Sequence, residues 1–304
     1  MNKPKKYFGI TLDPVHIGAG GYKLGRVDNT IVRDPATDVP KIPGTSLAGA
    51  IRAFAEIVKK EDNKKIGNSK QFTNLEIENV FGDGSKQGNV RFYDGKILFF
   101  PVSSIQGTVW VTTKDIIVYW LGEIKTKNGE IVKIPDKIEN EAYAIKGINS
   151  SELLNLGWLL LNTQPNTQNI NEEKEIVLPS KLNDFIKRIV IVSDKLFSHI
   201  VNDNLEVRTS VRIDPETGTA VEGALFTYEA IPRGTIIGFE MITDTIKEDD
   251  AKDIVKLIEA TFSYLKLLGI GGMGTRGFGR VDFSTLDNDE QSNKKMEGNE
   301  NDKS

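Results

Sequence analysis

The chain has 304 residues, 38% apolar and 27% charged, a globular composition long enough for one large or two small domains. It has no cysteine and only two histidines, which excludes disulfide scaffolds, thiolate metal sites, cysteine nucleophiles and a zinc site built from several imidazoles. The net charge of −4 is unevenly spread: residues 287–304 hold six acids and three bases, whereas residues 1–60 hold ten Lys/Arg against five Asp/Glu, a clustering compatible with a phosphate-bearing partner.

No run of 18 apolar residues occurs, so no membrane-spanning helix and no membrane partner are expected. The N-terminus lacks the apolar stretch of a secretion signal. The expected address is cytoplasmic.

Residues 6–12 read as a strand rich in β-formers. The Gly-, Pro- and Asp-rich stretch 13–45 is too long for a plain connection, and loops of that size are functional or disordered. Thr45 or Ser46 is positioned to cap a helix in which Leu47, Ala50, Ile51, Phe54 and Val58 recur at helical spacing; its other face would show Arg52 and Lys59. Residues 88–102 suggest a hairpin turning at Asp94-Gly95, followed by a strand at 105–113 and a short helix at 115–121. Within 122–188 the pattern is weakest, with a helical stretch near 151–161 and a polar loop at 163–175. A buried strand is expected at 189–192, then a short helix capped by Asp194. Residues 205–231 form an extended hairpin with Glu206, Arg208 and Arg212 along its first arm. A helix at 251–268 buries Ile254, Leu257, Ile258, Phe262 and Leu265 and ends at Gly269. A strand at 280–283 closes the fold, and the tail from 287 is disordered by composition. Strand, helix, strands, helix, strand is an α+β order compatible with a ferredoxin-like (RRM-like) βαββαβ core carrying large insertions.

Residues 269–279 hold six glycines in eleven positions, with two G-x-G-x-x-G matches, Gly269-Gly271-Gly274 and Gly272-Gly274-Gly277. A dinucleotide fingerprint follows a strand and opens a helix; here a helix precedes and a strand follows, so that reading is rejected. What remains is either a loop whose amides approach a phosphate chain closely, with Arg276 beside it, or a glycine turn packed tightly on a sheet.

The helix, glycine-rich loop and last strand resemble the hallmark of the RAMP superfamily of CRISPR RNA-binding proteins. His16-Ile17-Gly18-Ala19-Gly20, Leu24-Gly25-Arg26-Val27-Asp28-Asn29, Ile31-Val32-Arg33-Asp34-Pro35 and Pro43-Gly44-Thr45-Ser46-Leu47 with Gly49 and Arg52 look like the backbone subunit of type III effector complexes. Residues 26–35 and 275–279 look most like the Csm (type III-A) version, 97–113 and 189–232 more like the Cmr (type III-B) version. The subtype stays open, type III-D included. The similarity runs in ordered blocks over most of 7–283, as a single RAMP domain at 1–286.

The resemblance implies a backbone subunit that binds CRISPR guide RNA and cleaves complementary target RNA at regular intervals. It would stack with copies of itself in a helical filament beside other type III subunits, and its thumb hairpin would wedge into the guide–target duplex. Asp28 matches the acid required for cleavage and would help to hold Mg²⁺ or Mn²⁺, since a hard cation often takes one or two carboxylates plus phosphate oxygens. Taken as a residue alone, Asp28 reads first as a turn former. His16 is either a general base or an imidazole that satisfies a loop carbonyl. Glu229, in Phe226-Thr227-Tyr228-Glu229, is a second accessory candidate, and His199 reads as structural. Lys41, Ser46, Arg52, Gly271, Gly272, Arg276 and Gly277 are the RNA-binding candidates. The family's Ser-Leu-Lys-Gly reads Ser46-Leu47-Ala48-Gly49, one phosphate contact fewer, and its proline after the catalytic acid is replaced by Thr30. A non-catalytic RNA-binding RAMP subunit and a metal-independent guide-processing ribonuclease are the alternatives.

Overall fold

The computed structural model describes residues 3–20, 27–65, 71–72, 74–148, 153–165, 176–244 and 248–286. The fold is mixed α+β. In chain order the strands are β1 Lys5–Thr11, β2 Lys41–Ile42, β3 Val90–Phe92, β4 Gly95–Val102, β5 Val109–Thr112, β6 Lys125–Thr126, β7 Glu141–Lys146, β8 Leu153–Leu156, β9 Leu159–Pro165, β10 Ile176–Val177, β11 Ile189–Ile191, β12 Glu206–Ile213, β13 Ala220–Ala230, β14 Ile236–Thr243 and β15 Val281–Thr285. The helices are α1 Gly44–Asn63, α2 Ile77–Phe81, α3 Lys114–Leu121, α4 Ser180–Phe185, α5 Asp194–Asp203, α6 Glu248–Ala260 and α7 Phe262–Leu267. The chain divides into two compact units, one built from residues 1–36, 40–96 and 205–284, the other from 37–39, 97–204 and 285–304. Among the described residues no helix is long and apolar enough to cross a membrane.

In the first unit β1 lies between β15 and β14, and β3 pairs with the far end of β14. β1 and β14 run antiparallel from Lys5↔Met241 to Ile10↔Ile236. The core on this sheet is aromatic: Tyr7 stacks on Phe239 at 5.0 Å, and Phe239 meets Phe283 edge-on at 5.2 Å, offset and T-shaped geometries that suit the ring quadrupole. Gly9 is required there, because a Cβ would sit 2.5 Å from the Phe283 ring. Helix α1 buries Leu47, Ile51 and Ala55, and Ala55 joins Phe72, Ile77 and Leu257 in a cluster that ties α1, α2 and α6 together. β12 and β13 form a separate antiparallel ribbon from Glu206↔Ala230 to Ile213↔Ala220, the hairpin expected at 205–231.

In the second unit the strands follow the order β4-β5-β11-β7-β9-β8. β5 and β11 are parallel neighbours, as are β7 and β9. Each of β5 and β11 feeds a helix through a hydroxyl cap: Thr113 accepts from the Ile116 amide and Ser193 from the Leu196 amide.

Several local expectations are corrected. The Asp94-Gly95 hairpin does not form, since β3 pairs with β14 and the start of β4 pairs with β2; the Asp94 carboxylate instead accepts from Lys41 and the Gly44 amide. Helix α1 is not capped by Thr45 or Ser46: it starts at Gly44, after Pro43, with no side-chain cap. The helix near 151–161 is the β8–β9 hairpin, turning at Gly157 with φ +62°. Ser193, not Asp194, caps α5. The helix at 251–268 is two, broken at Thr261, whose hydroxyl donates back to the Ile258 carbonyl. Residues 21–26, 166–175 and 287–304, with the Leu24–Arg26 motif, part of the polar loop and the acidic tail, lie outside the described residues.

Candidate functional site

The site lies in the first unit, where the 27–33 segment lies along β13. The Asn29 amide donates to the Thr227 carbonyl at 3.0 Å and the Glu229 amide donates to the Asn29 carbonyl at 3.0 Å, a one-residue parallel bridge between Asn29 and Tyr228. The other edge of the segment is held by 15–20: Val32 donates to Ile17 at 2.8 Å and Ala19 to Thr30 at 2.9 Å. What reads in sequence as a loose Gly-rich loop is therefore pinned between the end of β1 and the hairpin.

On β13, positions 227 and 229 share a face, as strand periodicity requires. Thr227 engages Asp28. The Asp28 Oδ2 atom accepts from the Thr227 amide and from the Thr227 hydroxyl, both at 2.8 Å, and the Asp28 amide donates to that same hydroxyl oxygen at 2.9 Å. The Thr227 amide, then its hydroxyl, hold the Asp28 carboxyl below the usual carboxylate range, because both bonds favour the charged form. Asp28 is half-buried and ionised at neutral pH. Its Oδ1 makes no hydrogen bond among the described residues.

Glu229 is buried, and its carboxylate is fully engaged: Oε1 pairs with Arg33 at 2.7 Å and Oε2 accepts from the Ile31 amide at 3.2 Å. His16 is also buried. Its Nδ1 lies 2.6 Å from the Glu229 carbonyl oxygen, an atom that only accepts, so Nδ1 carries a proton. The backbone carbonyl that His16 engages belongs to strand β13, not to a loop as weighed from sequence. The His16 ring meets Tyr228 edge-on at 5.7 Å.

The glycine-rich segment packs on the same corner. Gly272 donates to the His16 carbonyl at 2.9 Å, and a Cβ on Gly271 would lie 2.4 Å from that carbonyl oxygen. These two glycines thus serve close backbone packing, while Gly277, with φ +79°, faces open space. Arg276 is exposed on a 3₁₀ turn, Gly274–Arg276, and reaches the Ser210 hydroxyl of β12 at 3.4 Å. Lys41 pairs with Asp94 at 2.7 Å, a contact that raises the Lys41 pKa and lowers that of Asp94. Arg52 donates to the Gly82 carbonyl at 2.8 Å. Ser46 is half-buried in the first turn of α1. The RNA-binding candidates are thus dispersed over the unit, and Lys41 and Arg52 are each engaged by a close protein acceptor.

Sequence reasoning missed Thr227 and the brace formed by Arg33. The signal for Thr227 was present: it stands two residues before Glu229 in a strand, which places the two side chains together. It also missed an open cavity of about 510 Å³ at the root of the hairpin, lined by Leu12, Asp13, Pro14, Glu206, Arg208, Arg233 and Arg280. There Arg280 grips Asp13 with two nitrogens at 2.5 and 3.0 Å and Arg208 lies 4.7 Å over the Phe278 ring.

Among the described residues no three of His, Cys, Asp or Glu gather into a metal cage. An ionised carboxylate with one oxygen unengaged among the described residues is a partial donor set, which fits a hard cation completed by phosphate oxygens and water.

The order of elements and this corner of loop, hairpin and glycine turn define a class. Residues 10–282 match the RAMP superfamily, and the chain belongs to it. Among curated relatives, the CRISPR system Cmr endoribonuclease Cmr4 of Pyrococcus furiosus is 30% identical over 288 residues, 89% of this chain and 92% of that protein. The CRISPR system Cms endoribonuclease Csm3 of Methanothermobacter thermautotrophicus is 22% identical over 280 residues, 92% of this chain and 79% of that protein. In fold, the chain is similar to a subunit of type III-B Cmr-beta bound to cognate target RNA, with a TM-score of 0.66, 17% identity and coverage of 94% and 98% of the two chains. Oligomeric Cmr4 from Pyrococcus furiosus gives 0.60 at 22% identity, covering 93% and 98%.

Proposed function

We propose that this chain is the guide-RNA-binding backbone subunit of a type III CRISPR effector complex and cleaves complementary target RNA. The single observation that carries the catalytic part is Asp28: an ionised carboxylate, clamped by one oxygen to the hairpin and with the other unengaged among the described residues. The kinship to Cmr4 along nearly the whole chain supports the rest. The strand order β15-β1-β14-β3, with α1 and α6–α7 between the strands in sequence, supports a ferredoxin-like core.

In the proposed reaction the 2′-oxygen of one target nucleotide forms a bond to its adjacent phosphorus and the bond to the 5′-oxygen breaks. The 2′-hydroxyl loses its proton, the departing 5′-oxygen gains one, and the products are a 2′,3′-cyclic phosphate and a 5′-hydroxyl. Bound Mg²⁺ or Mn²⁺ supplies Lewis-acid charge against the developing negative charge, with Asp28 as its protein ligand. Asp28 stays charged through its Thr227 bonds, and the Arg33–Glu229 pair fixes the segment that presents it. His16 and Glu229 stand as accessory residues. The β12–β13 hairpin is the thumb that distorts the target backbone so that oxygen and phosphorus align. Repeated head-to-tail copies along the guide, an open helical arrangement, set the cutting interval. Lys41, Ser46, Arg52, Gly271, Gly272, Arg276 and Gly277 are the proposed guide contacts, and the cytoplasm is the proposed compartment.

The test is Asp28→Ala in the complex assembled with guide RNA. Cleavage is expected to fall by at least about 100-fold, the scale of a lost electrostatic contact in a transition state, with guide and target binding unchanged. Removing divalent ions with EDTA should stop the wild type. Cutting at the wild-type rate by Asp28→Ala makes the chain a scaffold; cutting in EDTA removes the metal.

A further inference from the structure

The bonds around Asp28 converge on one side chain that the reaction itself does not require. A carboxylate on an exposed segment samples several rotamers about its χ angles, and a misplacement of about 1 Å in an active site can cost about 100-fold in rate. Here the Thr227 hydroxyl does two things at once. It donates to Asp28 Oδ2 at 2.8 Å, and it accepts from the Asp28 amide at 2.9 Å. One hydroxyl has one proton to give and lone pairs to receive, so both bonds are compatible. Together with the Thr227 amide, which donates to the same Oδ2 at 2.8 Å, they fix the backbone and the carboxylate of Asp28 to the same residue of β13.

We infer that Thr227 is the positioning residue of the cleavage site: its hydroxyl aims the Asp28 carboxylate by holding Oδ2 and leaving Oδ1 as the working oxygen. The inference rests on the reading of Asp28 as the cleaving acid. It also couples two elements that a lone acid would leave independent. Because Asn29 donates to the Thr227 carbonyl and accepts from the Glu229 amide, any shift of β13 when the hairpin engages RNA is transmitted to Asp28.

Thr227→Val removes the hydroxyl and little else. Valine is β-branched and suits a strand, and both backbone bonds of residue 227 remain. Thr227→Ser keeps the hydroxyl and loses the methyl group. In the assembled complex, Thr227→Val should lower the cleavage rate at saturating target by about 10- to 100-fold without changing target affinity, and Thr227→Ser should restore most of the rate. A readout independent of cleavage is the hydrogen exchange of the Asp28 amide in the free full-length chain. That amide should lose protection in Thr227→Val and keep it in Thr227→Ser. Wild-type cutting by Thr227→Val beside an inactive Asp28→Ala overturns the positioning role and leaves the nuclease reading intact. Equal loss in the Val and Ser variants, or unchanged Asp28 exchange in Thr227→Val, also overturns it. If Asp28→Ala itself cuts normally, the nuclease reading falls and this inference falls with it.

Discussion

Glu229 brings a carboxylate into a nearly dry position, where an isolated charge is costly. Arg33 and the Ile31 amide make the position tenable. Removing only the cation leaves the charge buried and unpaired, the expensive half of breaking such a pair. Arg33→Ala should therefore destabilise the chain by about 3 kcal/mol, the lower end for buried pairs, since Arg33 keeps some solvent contact. Glu229→Gln should cost less, because the amide oxygen still accepts from Ile31 and needs no counter-charge. Urea midpoints of the two variants check this, and a cost for Arg33→Ala of about 0.5 kcal/mol, that of an ordinary surface change, would show the brace to be dispensable. Acid sensitivity follows from carboxyls lowered on folding, three of which lie in the first unit. Thr227 lowers the pKa of Asp28, Arg280 that of Asp13 and Lys41 that of Asp94. A carboxyl lowered on folding stabilises the native state above its unfolded pKa and loses that contribution as pH falls through the folded one. The contribution of these groups should be constant near neutrality and decline below about pH 4. Urea midpoints measured between pH 7 and 3 test the window, and a decline from these groups that begins near pH 6 contradicts it. Arg280→Gln should make the acid limb shallower.

At the scale of elements, the hairpin of β12 and β13 is the segment whose sequence and structure agree best with a tool rather than a core. Val207, Val211, Ile213, Val221 and Leu225 are all exposed, an apolar surface on a ribbon that leaves the sheet. Replacing residues 212–224 by Asn-Gly, a two-residue turn suited to a hairpin, keeps the Val211↔Leu225 pair and the Thr227 and Glu229 contacts. The unfolding midpoint should move by less than about 2 °C, while target cleavage at regular intervals is lost and guide binding is retained. Regular cutting by the shortened chain would remove the thumb from the mechanism. This hairpin was legible because Asp214-Pro215-Glu216-Thr217-Gly218 separates two β-rich runs. The β8–β9 pair was not, because its leucines favour helix locally. The tertiary pairing of β9 with β7, a parallel partner about twenty residues earlier in the chain, selects the alternation in which Leu154, Leu156 and Leu161 are buried while Leu153 and Leu160 are exposed. Asp94-Gly95 misled for a related reason. Its turn chemistry is real, but Asp94 is committed to Lys41 and to the open amide of α1, bonds to residues about fifty positions earlier in the chain. At the site, Asp28, His16 and Glu229 were visible as residue types within motifs. Their mutual connection through β13 was not, because it depends on residues about 200 positions apart meeting at one bridge.

At the scale of the whole molecule, charge decides how RNA is held. The chain is acidic overall, with a net charge of −4, yet residues 1–60 carry twice as many bases as acids. Guide binding by such a surface proceeds through counterion release, with log K falling about 0.7 per log salt for each single-strand phosphate neutralised. Three of the proposed contacts are cations: Lys41, Arg52 and Arg276. Arg276 is exposed, whereas Lys41 leaves Asp94 and Arg52 leaves the Gly82 carbonyl to reach a phosphate. If all three engage, a single subunit should show a slope near −2 and lose about 20-fold in guide affinity between 50 and 200 mM salt. Arg276→Ala alone should reduce that slope by about 0.7 and weaken binding equally for unrelated guide sequences, as a phosphate contact does. Asp94→Ala should act in the opposite direction on affinity at low salt, because it releases Lys41, while it lowers stability by about 1 kcal/mol through the lost bond to the α1 amide. Filter binding at four salt concentrations distinguishes the cases. A guide affinity that does not respond to salt would mean that the basic N-terminal fifth serves the fold, and that RNA is held by stacking on the hairpin instead.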